Sequence, residues 1–425
     1  MKKRVFLTGA TGVMGSHGLR ELISHTDRYQ VSVLARPSKK NRRFLAPFEK
    51  KGVSIIWGDL LDKEAVGRGV KNADIVLHVG GMVSPAADWN PEQTIKVNVG
   101  SMQNIIEAAL PRKNDIKIVY IGSVSQYGPR EIPDHWGQVG DELTPALYDS
   151  YAYSKTFSER LLIESDLKYW VSLRQTGILH SGLLMKASDP ISFHVPLNGV
   201  IEWVTAEDSG RVLERVCRDD VPESFWRNCY NIGGGKPYRM TNYEFECRLL
   251  KSMGCPPPEK IFNTKWFATG NFHGVWYTDS DELENVLHFR SGKSPEEYFK
   301  QMKDDMPWYF SLAPLAPAFA IKLYMGHVAK TPKLGPMWWI VQEVSHRINA
   351  SWGSKQKWES IPDWPDFTLS HPSNLAPIKE NKCEYKDSDE LLTLTCPKCG
   401  TEYQIRRRTK EAGHGCPECL KKSIG

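Results

Sequence analysis

The chain has 425 residues, of which 40% are hydrophobic, and a formal net charge of +5 at pH 7. That length exceeds one average domain and supplies a large core, so a main domain with extensions is expected. The charge is too small for this length to require a nucleic-acid or membrane partner, and no run of about eighteen apolar residues offers a membrane span. The opening Met1-Lys2-Lys3-Arg4 runs into a strand and a glycine turn instead of an apolar leader, so a soluble, cytoplasmic protein is expected.

In chain order, the first strand is Val5-Phe6-Leu7. It leads into Thr8-Gly9-Ala10-Thr11-Gly12-Val13-Met14-Gly15, a helix from Ser16 to Ser24, and a second strand at Val31 to Leu34. This is a βαβ unit of the length that binds a dinucleotide. Gly9 permits the tight turn, Gly12 lets backbone N–H groups approach phosphate, and Gly15 lets the helix pack on the sheet. The predicted pyrophosphate cradle is therefore Gly9, Thr11, Gly12, Val13, Met14 and Gly15, at the positive end of a helix.

The second strand ends in Ala35-Arg36, followed by Lys39 and Lys40. An acidic residue there accepts from the ribose hydroxyls of NAD, whereas a cation suits the 2′-phosphate of NADP, so Arg36 and Lys39 favour NADP over NAD. The alternatives are that Arg36 stacks on adenine or faces water. Further strands at Val53 to Trp57, Ile75 to Val79, Ile116 to Ile121 and Val171 to Leu173 alternate with helices. The fold class is α/β: a doubly wound parallel (Rossmann) sheet that binds ligands beyond its carboxyl edge.

At that edge lies Gly122-Ser123, and a helix opens with Tyr151-Ala152-Tyr153-Ser154-Lys155. Tyr151 and Lys155 share a helix face. An ammonium there lowers the phenol pKa toward the operating pH, so Tyr151 can exchange a proton with a substrate hydroxyl while Ser123 orients the reacting oxygen. These three are the predicted catalytic residues.

From about Pro190 the pattern loosens into a capping lobe. Its aromatics (Phe193, Trp203, Phe225, Trp226, Trp266, Phe267, Phe272, Trp276, Tyr277) suit either an apolar, ring-shaped substrate or a core. Residues 301–389 form a Trp-rich extension. Its stretch Leu312 to Met325 is too short and proline-broken to span a bilayer and reads as a buried or interface helix. Nine cysteines divide into five scattered ones (Cys217, Cys229, Cys247, Cys255, Cys383) and two tight pairs. The pairs, Cys396-Pro-Lys-Cys399 and Cys416-Pro-Glu-Cys419, are spaced to close four thiolates on one structural Zn²⁺, with Glu402 to Ile405 as a strand between them. This ribbon, residues 390–425, carries Arg406, Arg407, Arg408, Lys410, Lys421 and Lys422. Docking on its own chain or a neighbouring subunit is expected in preference to nucleic acid, and His414 is expected to be a loop residue.

Residues 1–300 resemble the extended short-chain dehydrogenase/reductases, the NAD-dependent epimerase/dehydratase family. The resemblance rests on the glycine turn, Gly58-Asp59-Leu60, Leu77-His78-Val79-Gly80, Asn98, the Ser123 segment closing on Tyr127-Gly128, and Tyr151-x-x-x-Lys155. It implies residues 1–189 as mainly dinucleotide-binding and 190–300 as mainly the substrate lobe, including Asn231-Ile232-Gly233. It implies Asp59 and Leu60 at the adenine, and His78, Val79, Gly80 and Asn98 along the cofactor, with Tyr151 and Lys155 shared between cofactor and chemistry. A homodimer is also implied. Gly80-Gly81 stands where the family has small alanines, which should widen the pocket. Where the family's dehydratases carry an acid and a base after the hydroxyl residue, this chain has Val124 and Ser125, so elimination of water is not expected. The expected activity is NADP(H)-dependent oxidoreduction of a small-molecule secondary alcohol or ketone. The alternatives are a nucleotide-sugar epimerase with tightly held NAD, gripping diphosphate through Arg211, Arg215, Arg218 or Arg239, and a cofactor-sensing or nucleic-acid-binding scaffold.

Overall fold

The apolar runs pair into one seven-stranded sheet in the computed structural model, which describes residues 2–84, 86–185, 189–376 and 388–424. The strands are β1 (Lys3–Thr8), β2 (Tyr29–Ala35), β3 (Ser54–Trp57), β4 (Ile75–His78), β5 (Lys117–Ser123), β6 (Tyr169–Gln175) and β7 (Asn228–Ile232), in spatial order β7-β6-β5-β4-β1-β2-β3. All pairings are parallel, with Val5 of β1 opposite both Val31 of β2 and Ile75 of β4. Side chains alternate across the sheet: Val5 and Leu7 join one helical layer and Phe6 the other. The strand order turns back between β1 and β4, which opens a crevice at their carboxyl ends.

β7 corrects the placement of Asn231-Ile232 in the substrate lobe. The run Asn-Cys-Tyr-Asn-Ile is weakly apolar, yet it pairs with β6, sets Asn231 beside Arg174 and buries Ile232 fully. The chain therefore returns to the sheet after entering the cap.

Local signals fix the helices. α1 (Val13–Ser24) starts at the glycine turn, three residues before the predicted start. α2 is Lys39–Glu49, capped by Ser38, and α3 is Lys63–Lys71, capped by Asp62. α4 (Pro91–Ala109) has proline in its first turn. α5 (Ser150–Ile163) is capped by Asp149, which accepts from the Ala152 N–H at 2.8 Å. α6 spans Ala206–Arg215, because Thr205 caps it by accepting from Asp208 N–H at 3.0 Å.

The cap and the Trp-rich segment share one core, in which Phe193, Phe262 and Phe267 pack with Met325, Trp339 and Trp352. Indole N–H groups tie the two together: Trp352 donates to the Phe267 carbonyl and Trp358 to that of Lys265, each at 2.9 Å. α7 (Asn242–Met253) borders this core. The expected helix from Leu312 to Met325 is a 3-10 segment, Trp308–Leu315, followed by α8 (Ala318–Ala329), with a bend of 113° between them. It is buried on one side only: Met325, Val328 and Ala329 are buried, while Phe319 and Leu323 face outward. No single helix among the described residues is long and apolar enough to cross a membrane.

Residues 391–424 form a hairpin of β8 (Leu391–Thr395) and β9 (Glu402–Arg406) with two short helices. The hairpin docks behind α5. Arg408, 1% exposed, donates to the Ile163 carbonyl at 2.9 Å, and the Gly413 carbonyl accepts from Leu143 N–H at 2.9 Å. Arg406, Arg407 and Lys421 each hold a carboxylate of the same module: Asp389, Glu390 and Glu418. His414 lies in a loop, as expected, but the loop is packed against the main domain. Its side chain is buried with Nε2 2.8 Å from the Glu159 carboxylate, which also pairs with Arg174 at 2.7 Å. Cys383 lies outside the described residues.

Candidate active site

The carboxyl ends of β1, β2, β4, β5 and β6 open into one cavity of about 1360 Å³. Its first end is the glycine turn. Gly9 has φ of +74°, and a Cβ on it would meet Gly80 N at 2.7 Å; one on Gly15 would meet Gly9 O at 2.1 Å. Gly12 is the N-cap of α1 without a side-chain hydrogen bond, so the positive helix end faces the cavity among Thr11, Val13 and Met14.

Arg36, Asn41, Asp59 and Leu60 continue this wall; Lys39 does not line it, since it lies exposed at the start of α2. Asn41 was missed by the sequence reading: its Nδ2 donates to the Arg36 carbonyl at 2.9 Å and fixes that corner.

Val79 and Gly80 line the cavity, whereas His78 and Asn98 lie behind it. His78 is buried between Thr8 Oγ1 at 2.9 Å and Ser101 Oγ at 3.2 Å, and burial depresses its pKa to about 3. Thr8 Oγ1 accepts from Gly80 N–H at 3.0 Å, so His78 braces the β1 and β4 ends. Asn98 clasps the Met82 backbone at 2.7 and 3.0 Å and donates to Ser154 Oγ at 2.8 Å. The two glycines do not widen the pocket as expected. A Cβ on Gly80 would crowd Gly9 N and Thr8 Oγ1 at 3.1 Å, and one on Gly81 would meet Asn98 Oδ1 at 2.8 Å; their bareness serves close packing.

Ser123, Tyr151 and Lys155 come together on the cavity wall. Ser123 ends β5; its Oγ accepts from the backbone and hydroxyl of Ser125 at 3.2 and 2.9 Å. That leaves the Ser123 hydroxyl hydrogen for a partner in the cavity. Gln126 Oε1 accepts from Ser123 N–H at 2.7 Å and locks the turn. Lys155 donates to the Ile121 carbonyl at 2.8 Å and lies 5.8 Å from the Tyr151 ring centre. Burial raises the Tyr151 pKa to about 12, partly offset by its hydrogen bond with Ser123, and lowers that of Lys155 to about 8. The lowered phenol expected from sequence is thus not the resting state, because desolvation outweighs an ammonium bonded elsewhere.

Beyond Tyr151 the wall becomes apolar: Phe245, Leu249, Leu250, Phe262, Met325 and Trp339. Of the cap aromatics named above, Trp203 and Phe272 reach it, while Phe225, Trp226, Trp276 and Tyr277 belong to core packing. Three polar groups missed by the sequence reading also line it. Arg347 stacks over Tyr148 and Trp339 at 5.0 and 5.6 Å, Asp149 has its carboxyl raised to about 7 by burial, and His273 is lowered to about 4 by burial. They come from three distant segments without a local motif. Arg211, Arg215, Arg218 and Arg239 are all off this wall and hold Asp208, Glu214, Glu214 and Glu202.

A separate group of ligand atoms lies in the ribbon, where the four sulfurs of Cys396, Cys399, Cys416 and Cys419 fall within 4.8 Å of one another. Tetrahedral thiolates about 2.3 Å from one ion stand roughly 3.8 Å apart, so the donor set and spacing fit a closed four-sulfur site.

A parallel sheet with a glycine-rich first turn and a Ser, Tyr and Lys set at its carboxyl edge is the arrangement that the resemblance to the extended short-chain dehydrogenase/reductases implies. Residues 5–176 match the model of the NAD dependent epimerase/dehydratase family, and over that segment the chain is similar to it. A UDP-N-acetylglucosamine 4,6-dehydratase (inverting) of Campylobacter jejuni is 28% identical over 117 residues, 27% of this chain and 34% of that protein. The chain thus covers about a third of that relative's length. The 3 beta-hydroxysteroid dehydrogenase type 7 of Rattus norvegicus is 29% identical over 248 residues, 56% of this chain and 68% of that protein. In fold, the chain is similar to a UDP-glucose 4-epimerase of Bifidobacterium longum in complex with NAD+ and UDP, with a TM-score of 0.55, 18% identity, and 73% and 99% of the two chains covered.

Proposed function

We propose that the chain is an NAD(P)-dependent oxidoreductase acting at a carbinol or ketone carbon of a substrate with an apolar body. The observation that carries this is the single cavity in which Ser123, Tyr151 and Lys155 lie between a glycine-rich dinucleotide cradle and an apolar wall. The cradle fits the cofactor: the uncapped α1 N-terminus suits pyrophosphate, Asp59 and Leu60 the adenine, and Arg36 a 2′-phosphate, which supports NADP. When bound, a nicotinamide dinucleotide supplies the donor or acceptor of a hydride.

Tyr151 gives or takes the substrate proton at Oη, Ser123 donates a hydrogen bond to the reacting oxygen, and Lys155 favours the phenolate once it turns from the Ile121 carbonyl. Val124 is buried, and Ser125 spends its hydroxyl on Ser123, so that turn offers no acid and base pair for loss of water. The four cysteines would hold a structural Zn²⁺, with no open position for chemistry.

A nucleotide-sugar epimerase is the second reading, favoured by the names of the dehydratase and epimerase relatives and by Arg347, a cation able to meet a diphosphate. The two separate on one experiment: the purified protein with NADP⁺ or NADPH and a panel of alcohols, ketones and nucleotide sugars, followed by absorbance of the reduced nicotinamide. Net change with an alcohol or ketone is expected; isomerised sugar without net change overturns the first reading. Tyr151→Phe is expected to lower turnover about 10²–10⁴-fold while dinucleotide affinity changes little. Arg36→Ala is expected to weaken NADPH about tenfold and leave NADH unchanged, as measured by titration calorimetry.

A further inference from the structure

The segment from Trp308 to Ala329 exposes large apolar side chains on a scale that surface position alone does not require. Trp308 is 78% exposed, Leu315 77%, Phe319 74% and Leu323 77%, and Val341 on the adjoining helix Pro336–Val341 is 66% exposed. Leu315, Phe319 and Leu323 recur at intervals of four, and opposite them Met325 and Val328 anchor α8 in the core. The same elements are two-sided with respect to the cavity: Phe310, Ile321 and Tyr324 line it from within.

Within the segment itself the charge has one sign, while at its ends Asp304 pairs with Lys300, Glu343 pairs with Lys355, and Asp305 is exposed. Residues 306–342 contain no Asp or Glu and three lysines, Lys322, Lys330 and Lys333, all exposed. The helices packed beneath contribute Lys251 and Lys260, both exposed, and Glu259, which is held by the Tyr243 hydroxyl. Apolar rings and branched chains flanked by lysines complement an anionic bilayer surface, where the rings enter the acyl boundary and the ammonium groups meet phosphate. Neither arm spans: twelve residues of α8 reach about 18 Å against a hydrocarbon core of about 30 Å, and the 113° bend turns the arms apart.

We infer that the Trp308–Leu315 segment and α8 form a docking face for an anionic lipid bilayer, lying on it without crossing it. The test is flotation of the full chain with vesicles of phosphatidylcholine alone or with phosphatidylglycerol. Preferential flotation with the anionic vesicles is expected, weakened but not abolished by salt. The double variant F319S/L323S is expected to lose partitioning by about tenfold or more, since two large apolar side chains no longer leave water. The variant K322E/K330E is expected to lose the preference for anionic vesicles and keep the residual binding. Both pairs lie outside the proposed catalytic and cofactor machinery, so melting temperature and dinucleotide binding should match the parent.

Failure of the parent chain to float, or equal flotation of parent and F319S/L323S, overturns the inference. So does a parent that stays with the aqueous phase as a dimer while F319S/L323S runs as a monomer, because the face then belongs to a second copy. The readout is independent of turnover, so the reaction proposed above can fail without affecting it.

Discussion

Asp149 does two jobs that pull its carboxyl in opposite directions. As the N-cap of α5 it accepts the Ala152 N–H, which favours the charged form, while burial in the cavity wall favours the neutral one and takes its pKa to about 7. In the unfolded chain that group titrates near 4. Between those values the unfolded state has lost the proton and the native state keeps it, so this group's contribution to stability is greatest below about pH 4 and falls as pH rises to about 7. Asn caps a helix without titrating. The melting temperature of Asp149→Asn, relative to the parent, is therefore expected to rise from pH 4 to pH 7 and level off above, as followed by calorimetry. Lys155 has the reverse profile: with its pKa lowered to about 8, its contribution grows above that pH as the native state sheds the proton first. The Tyr151-x-x-x-Lys155 spacing and the Ser123 position are visible in sequence because a helix and a strand end create them locally. Asp149, His273 and Arg347 meet only through tertiary packing, so no window of sequence contains their relation.

At the scale of elements, α5 is the connection between the site and the ribbon. Its cavity face carries Tyr151 and Lys155, and one turn on, Glu159 meets Arg174 of β6 and His414 of the ribbon. Burial works to raise the Glu159 carboxyl, but Arg174 and His414 outweigh it and hold it well below the usual range. Arg174 also donates to Tyr127 Oη at 2.9 Å and to the Ala412 carbonyl at 2.6 Å, joining the turn after β5, β6 and the ribbon in one buried network. Removing one partner from such a network leaves buried groups unsatisfied. His414→Ala is expected to cost about 1–3 kcal/mol in urea unfolding. Under the Zn²⁺ assignment proposed above, a chelator is expected to lower stability in the same sense, and the two losses should not add, because both release one loop. The cysteine spacing announces the ribbon in sequence. Its docking is silent there, since Arg408 and His414 look like an ordinary charged surface until the structure buries them.

For the whole molecule, the cavity lies where the strand order reverses, and the cap and Trp-rich segment roof it with a shared core. Six of the seven sheet strands are legible as apolar runs flanked by helical stretches; β7 is not, because its polar residues are buried by pairing and by the Tyr127–Asn231 bond at 2.9 Å. The Trp-rich segment is readable as packed material, but which of its faces turns outward depends on the bend at Pro317. The Glu159–His414 contact joins residues 255 positions apart. At about 5–20 residues per second, that separation is roughly 10–50 s of synthesis. During that interval a nascent chain can assemble its sheet and gather Ser123, Tyr151 and Lys155, yet it must hold a carboxylate and a guanidinium short of two of their final partners. Maturation of α5 is then a clocked event, released when the ribbon arrives.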